Sequence, residues 1–202
     1  ALSGADYLIY LIHSMVPSSR LTQASFQDLD LLIADNFAKA AKAAGIKQII
    51  YVGGLMPDEA EESTSKHLSS RFEVEQVLQA TGINVTTLRC GMIVGPGGSS
   101  LKILINLVRR LPVMGLPSWS QSRTQPIAIE DVVRSVQICL KNPELYIGSF
   151  DIGGPDILTY GKLIELTAEE MGRRRWLIPM PFLSVVFSKR WVATFSSSPM
   201  NL

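Results

Sequence analysis

His67 and Arg71 stand four residues apart in the run Ser65-Lys66-His67-Leu68-Ser69-Ser70-Arg71. On a helix that spacing puts both side chains on one face, one turn apart. An imidazole titrates near neutral pH and can give or take a proton without an activating neighbour. A guanidinium stays charged, so Arg71 can hold a phosphate or a hydroxyl but cannot act as a base. The pair reads either as an acid/base group with an anion-binding partner or as an ordinary solvated helix face. His13 is the other imidazole, beside a ligand cleft or capping a strand end. Gly53-Gly54 would let a ring approach the backbone closely, or would make a tight turn. Arg89 and Asp131 read as a structural ion pair, and Arg173-Arg174-Arg175 as a solvated helix end. No His/Cys/carboxylate cluster has the spacing of a metal site, so no metal is expected.

These residues must be positioned by alternating strands and helices. Tyr7 to Ile12 is a continuous apolar run, which predicts a strand covered on both faces. Ser25 offers an N-cap to a helix whose apolar positions run from Phe26 to Ala44 and stop at Gly45. Ile46 to Val52 predicts a second strand, ended by Gly53-Gly54, and Pro57 to Thr64 a polar loop. A helix from about Lys66 to Ala80 follows, then a third strand from Asn84 to Val94. Ser99 or Ser100 should cap a helix from Leu101 to Leu111, and Pro112 to Pro126 reads as a loop. Glu130 to Lys141 predicts another helix, Ser149 to Ile152 a short strand, and Thr159 to Met171 a further helix. Pro179 and Pro181 then break the pattern before an amphipathic stretch from Phe182 to Phe195. This alternation implies an α/β fold, a doubly wound parallel sheet with helices on both faces.

Composition narrows the class. The 202 residues are 47% hydrophobic and 18% charged, enough for one domain with a sizeable core. A net charge of +1 gives no reason to expect nucleic acid as a partner. Cys90 and Cys139 fit two buried reduced thiols, which points to the cytoplasm. No run is apolar and long enough to span a bilayer, and no secretory signal is visible. The sequence opens on Ala1, which suggests that a gene's start lies further upstream.

Five stretches together carry a family resemblance. They are Leu11-Ile12-His13-Ser14-Met15, Ile49 to Leu55, Leu88 to Gly95, Thr124 to Val132, and Phe150-Asp151-Ile152-Gly153-Gly154-Pro155. In this order the chain resembles an atypical short-chain dehydrogenase/reductase, in its NmrA-like NAD(P)H-binding branch. The resemblance implies a Rossmann-like core over residues 1–155 and a helical, substrate-side segment over 156–202. It also implies that the chain corresponds to the middle of a longer protein. The family's Gly-x-x-Gly-x-x-Gly loop holds the pyrophosphate and does not occur in this sequence.

The resemblance further implies NAD or NADP as cofactor, held weakly by this stretch alone. Leu11, Ile12, His13 and Ser14, Val52, Gly53 and Gly54, and Cys90, Gly91, Met92 and Ile93 would contact it at three strand ends. Family enzymes use a Ser, a Tyr and a Lys; here Gly53-Gly54 takes the Ser position, and His67 and Arg71 take the Tyr-x-x-x-Lys slot. The expected activity is that of an oxidoreductase or epimerase-like enzyme with His67 as proton donor. The alternative is a non-catalytic, NmrA-like dinucleotide sensor or assembly scaffold. The small-molecule ligand is not identified by the sequence, with residues 112–123 as its expected cover. An apolar edge strand would favour a homo-oligomer.

Overall fold

The computed structural model describes residues 2–13, 26–56, 66–144 and 146–180. In chain order the elements are β1 (Tyr7–Tyr10), α1 (Phe26–Ala43), β2 (Gln48–Gly54), α2 (Lys66–Gln79), β3 (Asn84–Cys90), β4 (Ile93–Val94) and α3 (Ser99–Arg110). There follow β5 (Val113–Leu116), a short 3-10 turn (Ser118–Gln121), β6 (Arg123–Thr124), β7 (Ile127–Ala128) and α4 (Ile129–Lys141). The last are β8 (Gly148–Ile152), β9 (Leu158–Thr159), α5 (Tyr160–Glu170) and β10 (Trp176–Pro179). They divide into two compact units, residues 1–90 with 130–152, and residues 91–129 with 153–202. This division is discontinuous, whereas the sequence reading placed a single boundary at residue 155. The stretch 91–129 groups with the C-terminal part because its short strands pair there.

Unit 1 is built on a four-stranded sheet in the order β1-β2-β3-β8, with every neighbouring pair parallel. Alternation along β2 sends Ile49 and Tyr51 to one face and Ile50 to the other. Ile49 and Tyr51 pack with Ala34, Ala38 and Ala41 of α1 and with Val74 and Leu78 of α2. Ile50 and Leu88 pack with Cys139 of α4. Small alanines on α1 let the helix lie close to the sheet, and Gly45 at φ +72 stops it. Helices therefore cover both faces, the doubly wound arrangement that the sequence implies. β1 has the open edge that the family resemblance implies, but not the two covered faces that its apolar run implies. It is an edge strand among the described residues, with Tyr7 41% and Ile9 45% exposed rather than covered.

Unit 2 has a different frame. β4 pairs with β7 and β5 with β10, both parallel, while β6 and β9 are antiparallel. The expected third strand, Asn84 to Val94, thus breaks at Gly91-Met92, and its last two residues belong to another sheet. The expected loop 112–126 contains two strands and a 3-10 turn, because their partners lie far downstream, Thr159 opposite Arg123 and Trp176 opposite Val113. Helices α3 and α5 pack through Leu104, Leu107 and Val108 against Leu163, Ile164 and Ala168. Thr159 caps α5, its hydroxyl accepting from the Lys162 amide at 3.1 Å. Neither expected serine caps α3. Gly98 occupies that position, with no side-chain hydrogen bond. The expected helix over 182–195 lies outside the described residues.

Candidate functional site

Because the sheet of unit 1 is parallel, its strands end along one edge, where open α/β sheets bind ligands. Tyr10 is in register with Tyr51, Gly54 with Cys90, and Cys90 with Ile152. Val52, Gly53, Gly54 and Cys90 close their strands at this edge, and Leu11, Ile12 and His13 follow β1. Leu11 is 59% and Ile12 47% exposed, so two apolar side chains stand open beside the strand end. His13 is exposed and its Nδ1 lies 3.3 Å from the Leu11 carbonyl oxygen. Ser14 lies outside the described residues.

Arg71 reaches this edge from α2. A Cβ placed on Gly54 would stand 2.7 Å from Leu68 Cδ2 and 3.2 Å from Arg71 Cδ. Gly54 thus leaves room for the side chains of α2 that lie over it, and Gly53-Gly54 belongs to β2 rather than to a tight turn. The Tyr51 hydroxyl donates to the Arg71 carbonyl at 3.1 Å and fixes that turn of the helix. Burial pushes the Cys90 thiol up to about 11 and the Tyr51 phenol higher still, with the positive charge of Arg71 opposing both. His67 sits one turn earlier on α2 and is half-buried.

One turn beyond Arg71, Glu75 organises a buried polar cluster. Its carboxylate accepts from Arg89 Nε at 3.0 Å and Nη2 at 2.8 Å, and also from Gln79 and Ser149. Asp151 lies 3.9 Å from Arg89 Nη1. The expected Arg89–Asp131 pair is thus replaced by Arg89–Glu75. Alternation along β3 explains it, since Leu88 faces α4 whereas Arg89 turns to the α2 face. Asp131 starts α4 and belongs to the opposite face.

In unit 2, the expected contacts Gly91, Met92 and Ile93 follow Cys90 in the chain. A Cβ on Gly91 would collide with the Gln125 carbonyl oxygen, one on Gly153 with the Gln125 side chain, and one on Gly154 with the Pro126 carbonyl. Gln125 Nε2 donates to the Gly154 carbonyl at 2.7 Å, and the Ile127 amide donates to the Met92 carbonyl at 3.0 Å. Sequence reasoning missed Gln125 as the group that ties these segments. None of the three glycines has a positive φ, so each is there for close packing rather than for a turn. Nearby, Trp119 and Tyr160 meet edge to face at 6.1 Å. Arg175 Nε donates to the Val108 carbonyl at 2.6 Å and Arg173 to the Arg109 carbonyl, so two of the three arginines bind the end of α3 instead of being merely solvated. Among the described residues no group of three His, Cys, Asp or Glu could hold a metal ion, and no helix is long and apolar enough to cross a membrane.

The NmrA-like family model matches residues 1–187. The chain belongs to the NmrA-like family. Among relatives of this NmrA-like chain is NADH dehydrogenase (ubiquinone) 1 alpha subcomplex subunit 9, mitochondrial, of Arabidopsis thaliana, 25% identical over 162 residues, 78% of this chain and 39% of the relative. Another is a ceramide reductase of Caulobacter vibrioides, 29% identical over 161 residues, 79% of this chain and 49% of the relative. The chain spans less than half the length of either. A solved UDP-glucose 4-epimerase complex with NAD from Thermus thermophilus superposes with a TM-score of 0.68 at 17% identity. It covers 88% of this chain and 65% of the epimerase. That likeness establishes the Rossmann-like fold of the NmrA-like chain.

Proposed function

We propose that the chain is part of an NAD(P)-binding atypical short-chain dehydrogenase/reductase, acting as an oxidoreductase or epimerase-like enzyme. The observation that carries this reading is Arg71, whose stem lies over Gly54 where a parallel sheet receives its ligand. NAD in the similar solved structure and the reductase name of one relative support it. The residues at the strand ends fit the nicotinamide-ribose end of a dinucleotide. Leu11 and Ile12 offer an apolar face, and Arg71 a charged donor for ribose hydroxyls or a phosphate. When bound, the dinucleotide would supply or accept a hydride.

The chain's own contribution is then positional and protonic. Arg71 orients the ribose, Leu68 and Tyr51 hold the Arg71 turn, and His67 gives or takes the proton at its imidazole. No hydroxyl stands at Gly53-Gly54 to orient a substrate oxygen, so that task falls to other residues of the whole protein. The cytoplasmic assignment rests on Cys90 and Cys139, both free and buried, as expected where thiols stay reduced.

A second reading keeps the fold without the chemistry, as a dinucleotide sensor or assembly scaffold. Two observations favour it: the usual Ser and Tyr are replaced, and one relative is named as a subunit of a larger complex. Titrating NAD, NADH, NADP and NADPH into the whole protein, with turnover on carbonyl and nucleotide-sugar panels, separates the two. Binding with turnover is expected. Binding with no turnover would move the protein to the sensor reading, and no binding would overturn both.

A further inference from the structure

Unit 2 holds a cavity that the reading above does not use. It has a volume of about 480 Å³, within the range of small-molecule sites. Strands β4 and β7 line it together with α3, through Leu101 and Ile105, and α5, through Leu163 and Leu166. Every lining side chain is apolar except Thr167 and Glu170. The Thr167 hydroxyl is already committed, donating to the Leu163 carbonyl at 2.6 Å. None of the buried unpaired polar atoms among the described residues belongs to a lining residue, so water inside would find few partners. The lining also has no aromatic ring and lacks the convergent polar groups that hold a nucleobase or sugar.

The shape of the lining has a direction. Its residues on α5 run from Leu163 to Glu170, about 10 Å of helix at 1.5 Å per residue. The one uncommitted polar group, the exposed carboxylate of Glu170, lies at the far end of that run. It stands in the last turn of α5, where the helix dipole adds negative potential. A trough apolar along its length and anionic at one end matches an extended alkyl chain with a hydrogen-bond-donating head. We propose that unit 2 binds the hydrocarbon chain of a neutral or cationic long-chain amphiphile, with its head at Glu170. This site shares only Met92 with the expected dinucleotide contacts and does not rest on the dinucleotide reading.

Calorimetric titration of the whole protein with 1-octanol, 1-decanol and 1-dodecanol tests the chain. Each added methylene should tighten binding about fourfold until the trough is filled. Decylamine should bind more tightly than 1-decanol, and decanoate more weakly. Glu170→Gln should abolish the preference for the amine and leave 1-decanol affinity unchanged. Ile105→Trp and Leu166→Trp, half-buried positions on separate helices, should each fill the cavity and lower affinity at least tenfold. Thermal melts of both variants without ligand verify that they are folded. Affinity that ignores chain length, or that survives both folded tryptophan variants, would overturn the proposal. So would failure of every probe to bind, which would mean that other residues of the protein or a second copy fill the trough.

Discussion

Removing the carboxylate of Glu75 leaves the Arg89 guanidinium without its bidentate partner and the Ser149 hydroxyl without its acceptor. The Glu75 side chain is 4% exposed and Arg89 23%, so water can compensate only in part. Glu75→Ala should destabilise unit 1 by about 3 kcal/mol, the low end for breaking a buried pair. The exposed Lys39–Asp35 pair, at 2.6 Å, has the shorter distance but the weaker claim. Asp35→Ala should cost no more than about 0.5 kcal/mol. Urea titrations of both variants check the contrast, and equal losses would refute the burial argument. At the same scale, His67→Phe in the whole protein should lower turnover on the order of a hundredfold to ten-thousandfold while cofactor binding persists. Arg71→Ala should instead weaken cofactor binding, because its task is charge-assisted hydrogen bonding. Turnover that survives His67→Phe would remove the only acid named for the reaction.

Among elements, β1 sets the behaviour of the sheet. It pairs with β2 on one side only among the described residues, and Tyr7, Ile9, Leu11 and Ile12 are all exposed. An apolar edge with free backbone groups recruits another strand. The 202-residue chain should therefore associate with rising concentration, and Ile9→Lys should suppress this without unfolding the domain. A monomer at all concentrations by light scattering would refute it. The positions of β1, β2, β3, β8 and the five helices were legible in the sequence, because apolar runs and helical spacing are local signals. The short strands of unit 2 were not. β5 pairs with β10 and β6 with β9, so their identity depends on residues far downstream that no local window contains. The open edge of β1 followed from the family resemblance, whereas its apolar run alone implied two covered faces, since such a run does not say how many neighbours it has. At the candidate site, Gly53-Gly54 was legible only as a place of close approach by a ring or as a tight turn, whereas the packing of α2 over Gly54 and the roles of Gln125 and Glu75 were not legible. Both act through distant contacts, and neither residue type announces them.

At the scale of the molecule, the titrating groups are unevenly placed. Burial holds the Cys90 thiol up to about 11, against an ordinary value of 9.0, and raises Cys139 as well. Tyr10 is pushed up to about 12 from 10.0, chiefly by burial and then by the charge of Asp30, and Tyr51 goes higher still. All four belong to unit 1. Each keeps its proton in the folded state at a pH where the unfolded chain has lost it. Between about pH 9 and pH 12 the folded protein binds more protons than the unfolded one, so stability falls as pH rises. Below about pH 9 their contribution is fully present. Alkaline unfolding should therefore begin in unit 1, with amide protection in β2 and β3 lost before that in α3 and α5. Tyr10→Phe gives the control, because the Tyr10 hydroxyl is buried without a hydrogen-bond partner. The variant should be no less stable at about pH 7, since an unpaired buried hydroxyl contributes nothing that phenylalanine lacks. It should also flatten the loss of stability above about pH 10 by the share of one proton. Denaturant midpoints from about pH 7 to about pH 12, with hydrogen exchange read by segment, measure both effects. Stability unchanged up to about pH 11, or an unaltered slope in Tyr10→Phe, would show that these groups do not govern the alkaline limit.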